Sequence, residues 1–256
     1  MPNLELSTDG RIATLTLNRP EKMNALSPAL LDELLSACES LSADESVRVV
    51  VVRGSGAHFS AGADLPGFND RFAADEDEAA DLGRRATEAL WRLPQITIAG
   101  VTGHCVGGAL VLLACCDLRI ASVSAVFSIP EIDAGIPLAW GGMAHLNRLI
   151  GETRATDLVL SCRPFGAAEA HAAGLLTTVV DEQALDIKVG QTARDIAAKA
   201  GYAVRATKRQ LTALRDGSFD PRADADALRD ARRDEEAGAI GKAYIERIMG
   251  KSHDRS

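Results

Sequence analysis

The sequence has no apolar run approaching the roughly 18 residues that a membrane-spanning helix requires, so no membrane span is expected in its 256 residues. The opening stretch, MPNLELSTDG, lacks both a basic start and a long apolar core, so no export signal is expected. Positive charge is in deficit. Lys and Arg number 28 against 36 Asp and Glu, and the net charge of −8 argues against non-specific nucleic-acid binding. A small basic groove for an anionic ligand is still compatible with that balance. Cysteine is scarce and odd in number. Cys38, Cys105, Cys115, Cys116 and Cys162 sit mostly in apolar runs, which reads as buried thiols of a reducing, cytoplasmic compartment rather than a disulfide framework.

Several catalytic signatures are also missing. The histidines (His58, His104, His145, His171, His253) show no H-E-x-x-H spacing, and no metal site is expected. No G-x-S-x-G elbow is present, which argues against a serine hydrolase. The glycines near the middle of the chain run G-x-x-x-G-G rather than G-x-G-x-x-G. Ala109-Leu110 stands where a P-loop would place its Lys-Ser/Thr, so the common phosphate-binding readings fit poorly.

What is present is an ordinary globular composition, 46% hydrophobic and 25% charged, sufficient for a sizeable core. It is organised around Ile96 to Asp117. An apolar run of strand length, Ile96 to Val101, breaks at Gly103 and Gly107-Gly108 and passes into the continuously apolar Ala109 to Cys116. The pattern predicts a buried strand, a tight turn and a buried helix. The first amides of such a helix have no partner inside it, and the helix dipole adds partial positive charge there. A glycine pair at that point lets a substrate oxygen approach the backbone, although a glycine turn can also serve only as a connector.

A second unit of the same kind precedes it by about forty residues. The β-branched run Val47 to Val52 predicts a buried strand that feeds the small-residue loop Gly54 to Leu65. Two such loops at one sheet edge would bring backbone N–H donors together on one oxygen, an oxyanion hole.

Elsewhere, Leu4 to Leu17 predicts a hairpin turning at Asp9-Gly10, and Ser27-Pro28 starts a helix with its apolar face on Leu30, Leu31, Leu34, Leu35 and Cys38. Asn69 to Asp81 reads as an exposed, mobile acidic helix-loop, followed by a helix over Thr87 to Leu93. Asp117 to Ala121 predicts a strand, and Ala125 to Ile136 an extended segment carrying Glu131 and Asp133. A helix runs from Trp140-Gly141-Gly142 through Ile150, Gly151 punctuates the next, and a short helix over Ala167 to Ala173 stops at Gly174. Val179-Val180 forms a last strand. The remainder reads as helices over Glu182–Ala200, Tyr202–Arg215 and Ala223–Met249, with Gly250 to Ser256 polar and disordered.

These pieces match a known pattern. They are Asn18-Arg19-Pro20 with Asn24-Ala25-Leu26, Val51 to Gly56 with Phe59 to Leu65, Ile98-Ala99 to Gly103, Gly107-Gly108 and Cys116-Asp117. Phe127 to Glu131, Gly135, Gly141-Gly142 and Ala172 to Leu175 continue it, with a weaker match at Ala206-Thr207-Lys208. The chain resembles the crotonase superfamily, the enoyl-CoA hydratase/isomerase family, in register over roughly residues 10 to 210. The resemblance implies an α/β fold, a spiral of ββα units with a C-terminal helical region that builds trimers or hexamers. With the compositional shift near Ala198 to Gly201, it divides the chain into a core over 1–198 and a helical trimerisation region over 199–256.

The resemblance further implies an acyl-CoA thioester substrate, coenzyme A being part of that substrate, with no separate cofactor. It places the oxyanion-hole donors at Ala63 and Gly108. It assigns the CoA path to Lys22, Met23, Asn24 and Ala25 together with Ala61, Asp64 and Leu65. Lys22 and Arg19 would face the CoA phosphates, unless they are simply solvated surface cations.

In the family's hydratases two glutamates share a water. The second corresponds to Glu131, while the first falls at Val111, which cannot ionise. A thioester carbonyl held by two N–H groups has an acidified α-carbon, and losing one donor typically costs ~3 kcal/mol of transition-state stabilisation. A lone glutamate among apolar neighbours suffices to remove a proton at one carbon and return it at another. Double-bond isomerisation is therefore expected first, and 2-enoyl-CoA hydration in fatty acid metabolism is the alternative. Decarboxylation, thioester hydrolysis or a non-catalytic CoA-ester- or partner-binding protein on the same scaffold stay open. Asp133, two residues on, would share Glu131's face if the segment is extended, or serve as a turn residue. Trp140 and Phe68 would shape the acyl pocket or belong to the core.

Overall fold

The structure, a computed structural model, describes residues 2–253. β1 (Leu4–Asp9) and β2 (Ile12–Leu17) pair antiparallel, from Leu4 opposite Leu17 to Asp9 opposite Ile12. The Asp9-Gly10 turn joins them. α1 (Pro28–Ala43) is capped by Ser27, whose Oγ accepts from the Leu30 N–H at 3.2 Å. β3 (Val49–Gly54) leads to α2 (Leu65–Ala74) and α3 (Glu76–Trp91). Next come β4 (Ile96–Val101), β5 (His104–Val106) and α4 (Gly108–Cys115), then β6 (Leu118–Ser122), β7 (Val126–Ser128) and α5 (Gly142–Ser161). β8 (Phe165–Gly166), α6 (Ala167–Ala172) and β9 (Thr178–Val180) precede the helices α7 (Leu185–Ala197), α8 (Gly201–Arg215), α9 (Ala223–Arg233) and α10 (Glu235–His253).

The large sheet has the order β1-β2-β3-β4-β6-β9 and is parallel from β2 onward; a small sheet has the order β5-β7-β8. Each turn of the chain lays one strand in each sheet and then a helix, as in β4-β5-α4 and β6-β7-α5. The β3 turn reaches the small sheet through a single bridge, Ser60 to Cys105. This is the expected ββα spiral.

The valines of β3 explain themselves once the layers are seen. Val50 and Val52 face the main core, where α1, α3 and α4 pack; Val49 and Val51 face α7, against Leu185, Val189, Ala193 and Ala197. Successive strand side chains point to opposite faces, so a strand covered on both must be apolar throughout. α4 follows the same logic: all eight of its residues are buried. The helical tail is tied into this core by charge. Lys208 of α8 is only 1% exposed, and its Nζ lies 2.6 Å from Asp117, which Arg215 reaches at 3.0 Å. The same carboxylate accepts from the Thr97 N–H and hydroxyl.

Four expectations are corrected. The acidic stretch is not a loose helix-loop. α3 begins at Glu76 and buries Ala79, Leu82, Gly83, Ala86, Thr87 and Leu90, at spacings of three and four residues. Its acids occupy the first turn, where the Asp75 carboxylate caps the Glu78 N–H. The predicted extended segment Ala125 to Ile136 is a strand only over β7, which ends at Ser128. Pro130 to Ile136 then folds into consecutive turns (Ala134 N–H to Pro130 O, Gly135 N–H to Ile132 O, Ile136 N–H to Glu131 O). Asp133 is consequently exposed and does not share Glu131's face. The last predicted helix is two, because Asp234 adopts extended backbone (ψ 123°) and its side chain caps the Ala237 N–H at 2.8 Å. Finally, the backbone expected to be disordered from Gly250 is helical to His253, and residues 254–256 lie outside the described residues. Among the described residues no helix is long and apolar enough to cross a membrane, and all five cysteines are buried and unbridged.

Candidate active site

The loop after β3 is built on one buried amide. Asn24, with φ 56°, donates from Nδ2 to the Ser55 and His58 carbonyls at 2.9 and 2.8 Å, and its Oδ1 accepts from the Arg19 N–H. This fastens the Asn18–Ala25 turn to the Gly54–Phe59 loop. The chain beyond is held on one side by a parallel bridge between Leu26 and Ala63: the Leu26 N–H bonds Gly62 O at 2.8 Å, and the Asp64 N–H bonds Leu26 O at 3.0 Å. Both amide groups that flank Ala63 thus turn toward Leu26, so the N–H and C=O of Ala63 itself point the other way. Across the gap stands the first residue of α4. A Cβ placed on Gly62 would lie 3.8 Å from the Gly108 nitrogen, so the two glycine-rich loops do meet. The Gly108 N–H opens α4 and has no intrahelical partner.

A cavity of about 320 Å³ opens at this meeting point. It brings together Ala63, Leu65, Gly108, Val111 and Glu131 with Phe68 and Trp140. Glu131 stands beside Gly107, where an added Cβ would come within 2.5 Å of its Oε1. The carboxyl is half-buried, and its Oε2 is buried with no hydrogen-bond partner. Burial pushes its pKa above the usual glutamate value, opposed in part by a hydrogen bond from its own backbone N–H. Val111 is fully buried, and a Cβ on Gly142 would meet its Cγ2 at 2.8 Å.

Trp140 resolves its two possible roles by filling both. Its ring lies over Gly108, where a Cβ would come within 2.3 Å, and over Gly83 of α3, where a Cβ would overlap it. The Thr87 hydroxyl donates to its carbonyl at 3.1 Å, and the Phe68 ring lies tilted against it with centroids 6.0 Å apart. The indole is packed on one side and walls the cavity on the other.

Of the remaining sequence-derived positions, Leu65 lines the cavity while Lys22, Met23, Ala25, Ala61 and Asp64 do not. The Ala61 N–H bonds Met23 O at 2.9 Å, with Ala25 adjoining the Leu26–Ala63 bridge. Lys22 is exposed, and Met23 and Leu65 are 44% and 53% exposed. Arg19 is not a free cation. It donates to Ala25 O at 2.6 Å and pairs with Asp64 at 2.8 Å, both side chains being nearly buried. Asp64 also caps α2 through the Gly67 N–H. Burial works against its charge, but Arg19 and the cap hold its pKa below the usual carboxylate value. Sequence reading missed Phe72, Ala79 and Ala80, which α2 and α3 contribute to the wall. Their signal was the apolar spacing hidden inside the acidic segment.

The sequence pattern of the family described as enoyl-CoA hydratase/isomerase matches residues 7–247. The crotonyl-CoA hydratase of Syntrophomonas wolfei is 34% identical over 207 residues, 80% of each chain. The peroxisomal Δ(3,5)-Δ(2,4)-dienoyl-CoA isomerase of Arabidopsis thaliana is 32% identical, over 84% of this chain and 82% of that protein. A Thermobifida fusca structure in complex with acetoacetyl-CoA superposes with a TM-score of 0.80 at 32% identity, covering 90% of this chain and 93% of that one. The fold is that of the crotonase-type enzymes. The chain belongs to the enoyl-CoA hydratase/isomerase family and is an enzyme of that acyl-CoA-processing class.

Proposed function

We propose that the protein moves the double bond of an enoyl-CoA, converting a 3-enoyl thioester to its 2-enoyl isomer, with Glu131 as the sole acid/base. The carrying observation is that, of the described residues lining the cavity, Glu131 alone can ionise. The thioester carbonyl accepts from the Ala63 and Gly108 N–H groups, which favours negative charge on oxygen. Glu131 removes a proton from C2, the electrons spread through the enolate to C4, and the same carboxyl delivers the proton there. No atom is gained or lost, so one carboxyl and two amides cover the chemistry. Its raised pKa suits both halves of the task.

The acyl chain lies against the apolar side chains of Phe68, Phe72, Ile136, Leu138 and Trp140. The CoA portion runs over Lys22, Met23, Ala25, Ala61, Asp64 and Leu65, with exposed Lys22 toward the phosphates. That a fold neighbour holds acetoacetyl-CoA supports an acyl-CoA ligand. Exposed apolar side chains on the tail, among them Leu214, Leu228, Tyr244, Ile245 and Met249, support self-association into trimers or hexamers.

Hydration is the second reading, favoured by the crotonyl-CoA hydratase relative. An ultraviolet assay separates the two. Purified protein and its Glu131→Gln variant receive 3-enoyl-CoA and 2-enoyl-CoA separately. Conjugation gained from the 3-enoyl substrate and abolished in the variant is the expected result. Loss of conjugation from the 2-enoyl substrate alone would establish hydration instead.

A further inference from the structure

Helix α3 runs past two cavities, and one indole stands between them. Ala79 and Ala80 line the acyl cavity of about 320 Å³. Further along the helix, Thr87 and Trp91 line a second cavity of about 430 Å³, with Ala144 and Leu214 among charged side chains. The two linings share a single residue, Trp140. Its ring lies against Gly83, where an added Cβ would overlap it. Ala79, Gly83 and Thr87 follow one another at intervals of four and so share one face of α3. The side chain that Gly83 lacks leaves the room the indole takes, and the indole closes the way from the first cavity to the second.

Trp140 holds this seat against its own backbone. Its φ is 58°, a left-handed conformation that is an outlier for a bulky residue. Such strain persists only where the surroundings over-determine it. Here they are Gly83, Gly108 and one hydrogen bond. The buried Thr87 hydroxyl has three acceptors within reach, the Gly83 and Arg84 carbonyls at 3.0 Å and the Trp140 carbonyl at 3.1 Å, and one proton to give. The first two carbonyls lie inside α3 and accept there from amides four residues on. Among the described residues no other donor reaches the Trp140 carbonyl, so the proton matters most there.

We propose that Thr87 is a positioning residue for acyl-chain length. By holding the Trp140 backbone it keeps the indole as the end wall of the acyl pocket, and releasing that hold joins the two cavities into one channel for longer acyl chains. The proposal rests on the reading of the first cavity as an acyl-CoA site. Its test is calorimetric binding of saturated acyl-CoAs, from butanoyl- to tetradecanoyl-CoA, to the intact protein. Saturated thioesters have no double bond to move or hydrate, so the result is independent of which reaction the enzyme performs. In the parent, affinity should rise about fourfold per added methylene up to one chain length and then stop rising. In Thr87→Val, which keeps the side-chain shape and removes the hydroxyl, the rise should continue to longer chains. Thr87→Ser, which retains the hydroxyl, should keep the parent's limit. Should Thr87→Val not fold, Gly83→Ala carries the same test, because its Cβ must displace the indole. A spectroscopic signature accompanies the binding data. In a Trp91→Phe background Trp140 is the chain's one tryptophan, and its emission should move to longer wavelength in Thr87→Val but not in Thr87→Ser. One length limit common to the parent, Thr87→Val and Gly83→Ala would overturn the proposal, as would Thr87→Ser behaving like Thr87→Val. A parent that binds none of these thioesters would overturn the acyl-CoA reading itself, and the proposal with it.

Discussion

Gly107 and Glu131 are fitted to one another: the hydrogen that Gly107 carries in place of a side chain leaves just enough room for the Glu131 carboxyl, since a Cβ there would sit 2.5 Å from Oε1. Gly107 also holds φ 53°, a left-handed conformation that costs other residues energy. Gly107→Ala should therefore displace the carboxyl and lower kcat by about 10²-fold, with KM little changed. Steady-state kinetics on the substrate identified by the ultraviolet assay would check it. An unaltered kcat would mean that Glu131's position is not set by this contact.

Glu131→Gln should abolish turnover by about 10²–10⁴-fold and yet stabilise the fold at pH values above the window in which the Glu131 carboxyl titrates. The sign follows from linkage. Burial raises the folded pKa of Glu131 above its unfolded value, so between the two the native state binds more protons. Stability falls as pH rises through that window and stays lower beyond it. Urea unfolding at two pH values, one below and one above the window, should show that fall in the parent and a smaller one in the variant.

Lys208→Met should destabilise the protein by about 3–5 kcal/mol, because it leaves a buried carboxylate short of a partner. Burial alone would raise the pKa of Asp117, but Lys208, the Thr97 N–H and Arg215 outweigh it and hold it below the usual value. The stability this contributes is present above the unfolded pKa and is lost as pH falls through the lowered folded one. Denaturant titration of the variant checks the magnitude. Loss below 1 kcal/mol would show that Arg215 and Thr97 satisfy Asp117 without Lys208.

Trp140→Ala should widen the acyl pocket and shift the optimum of kcat/KM toward longer or branched acyl chains, at a stability cost of about 3–5 kcal/mol. The measurement is kcat/KM over a chain-length series. An unchanged profile would place chain-length selection elsewhere in the wall.

Tyr244→Asp with Ile245→Asp should reduce the assembly to smaller species, since charge would replace apolar surface on α10. Light scattering of parent and variant would show it. A monomeric parent would remove self-association from the proposal.

Much of this enzyme was legible before its coordinates. The hairpin, the Ser27 cap, the buried β3 and β4 runs and the α4 glycine turn follow from local rules acting on neighbouring residues: alternation, capping, and the freedom of glycine. Even the family could be read, because Phe59 to Leu65 and Gly107-Gly108 must keep their spacing to meet at one edge. What failed to show was whatever depended on a distant partner. The acidic stretch hid a helix that buries Leu82 and lends Ala79 and Ala80 to the cavity. Asp133 left Glu131's face because hydrogen bonds through Gly135 and Ile136 curl the segment.

The sequence by itself determined which atoms are available for chemistry: a glutamate at 131, no acid at 111, and two glycine-rich loops with free amides. Only the tertiary structure decided that Arg19 is consumed by Asp64 rather than offered to a phosphate, and that Trp140 is seated over Gly83 and Gly108. It also decided that Lys208 and Arg215 converge on Asp117 from about ninety residues away. Composition and periodicity record what a residue prefers. Ion pairs and seats for rings are set by which surfaces the spiral brings within a few ångströms, and that is a property of the packed chain.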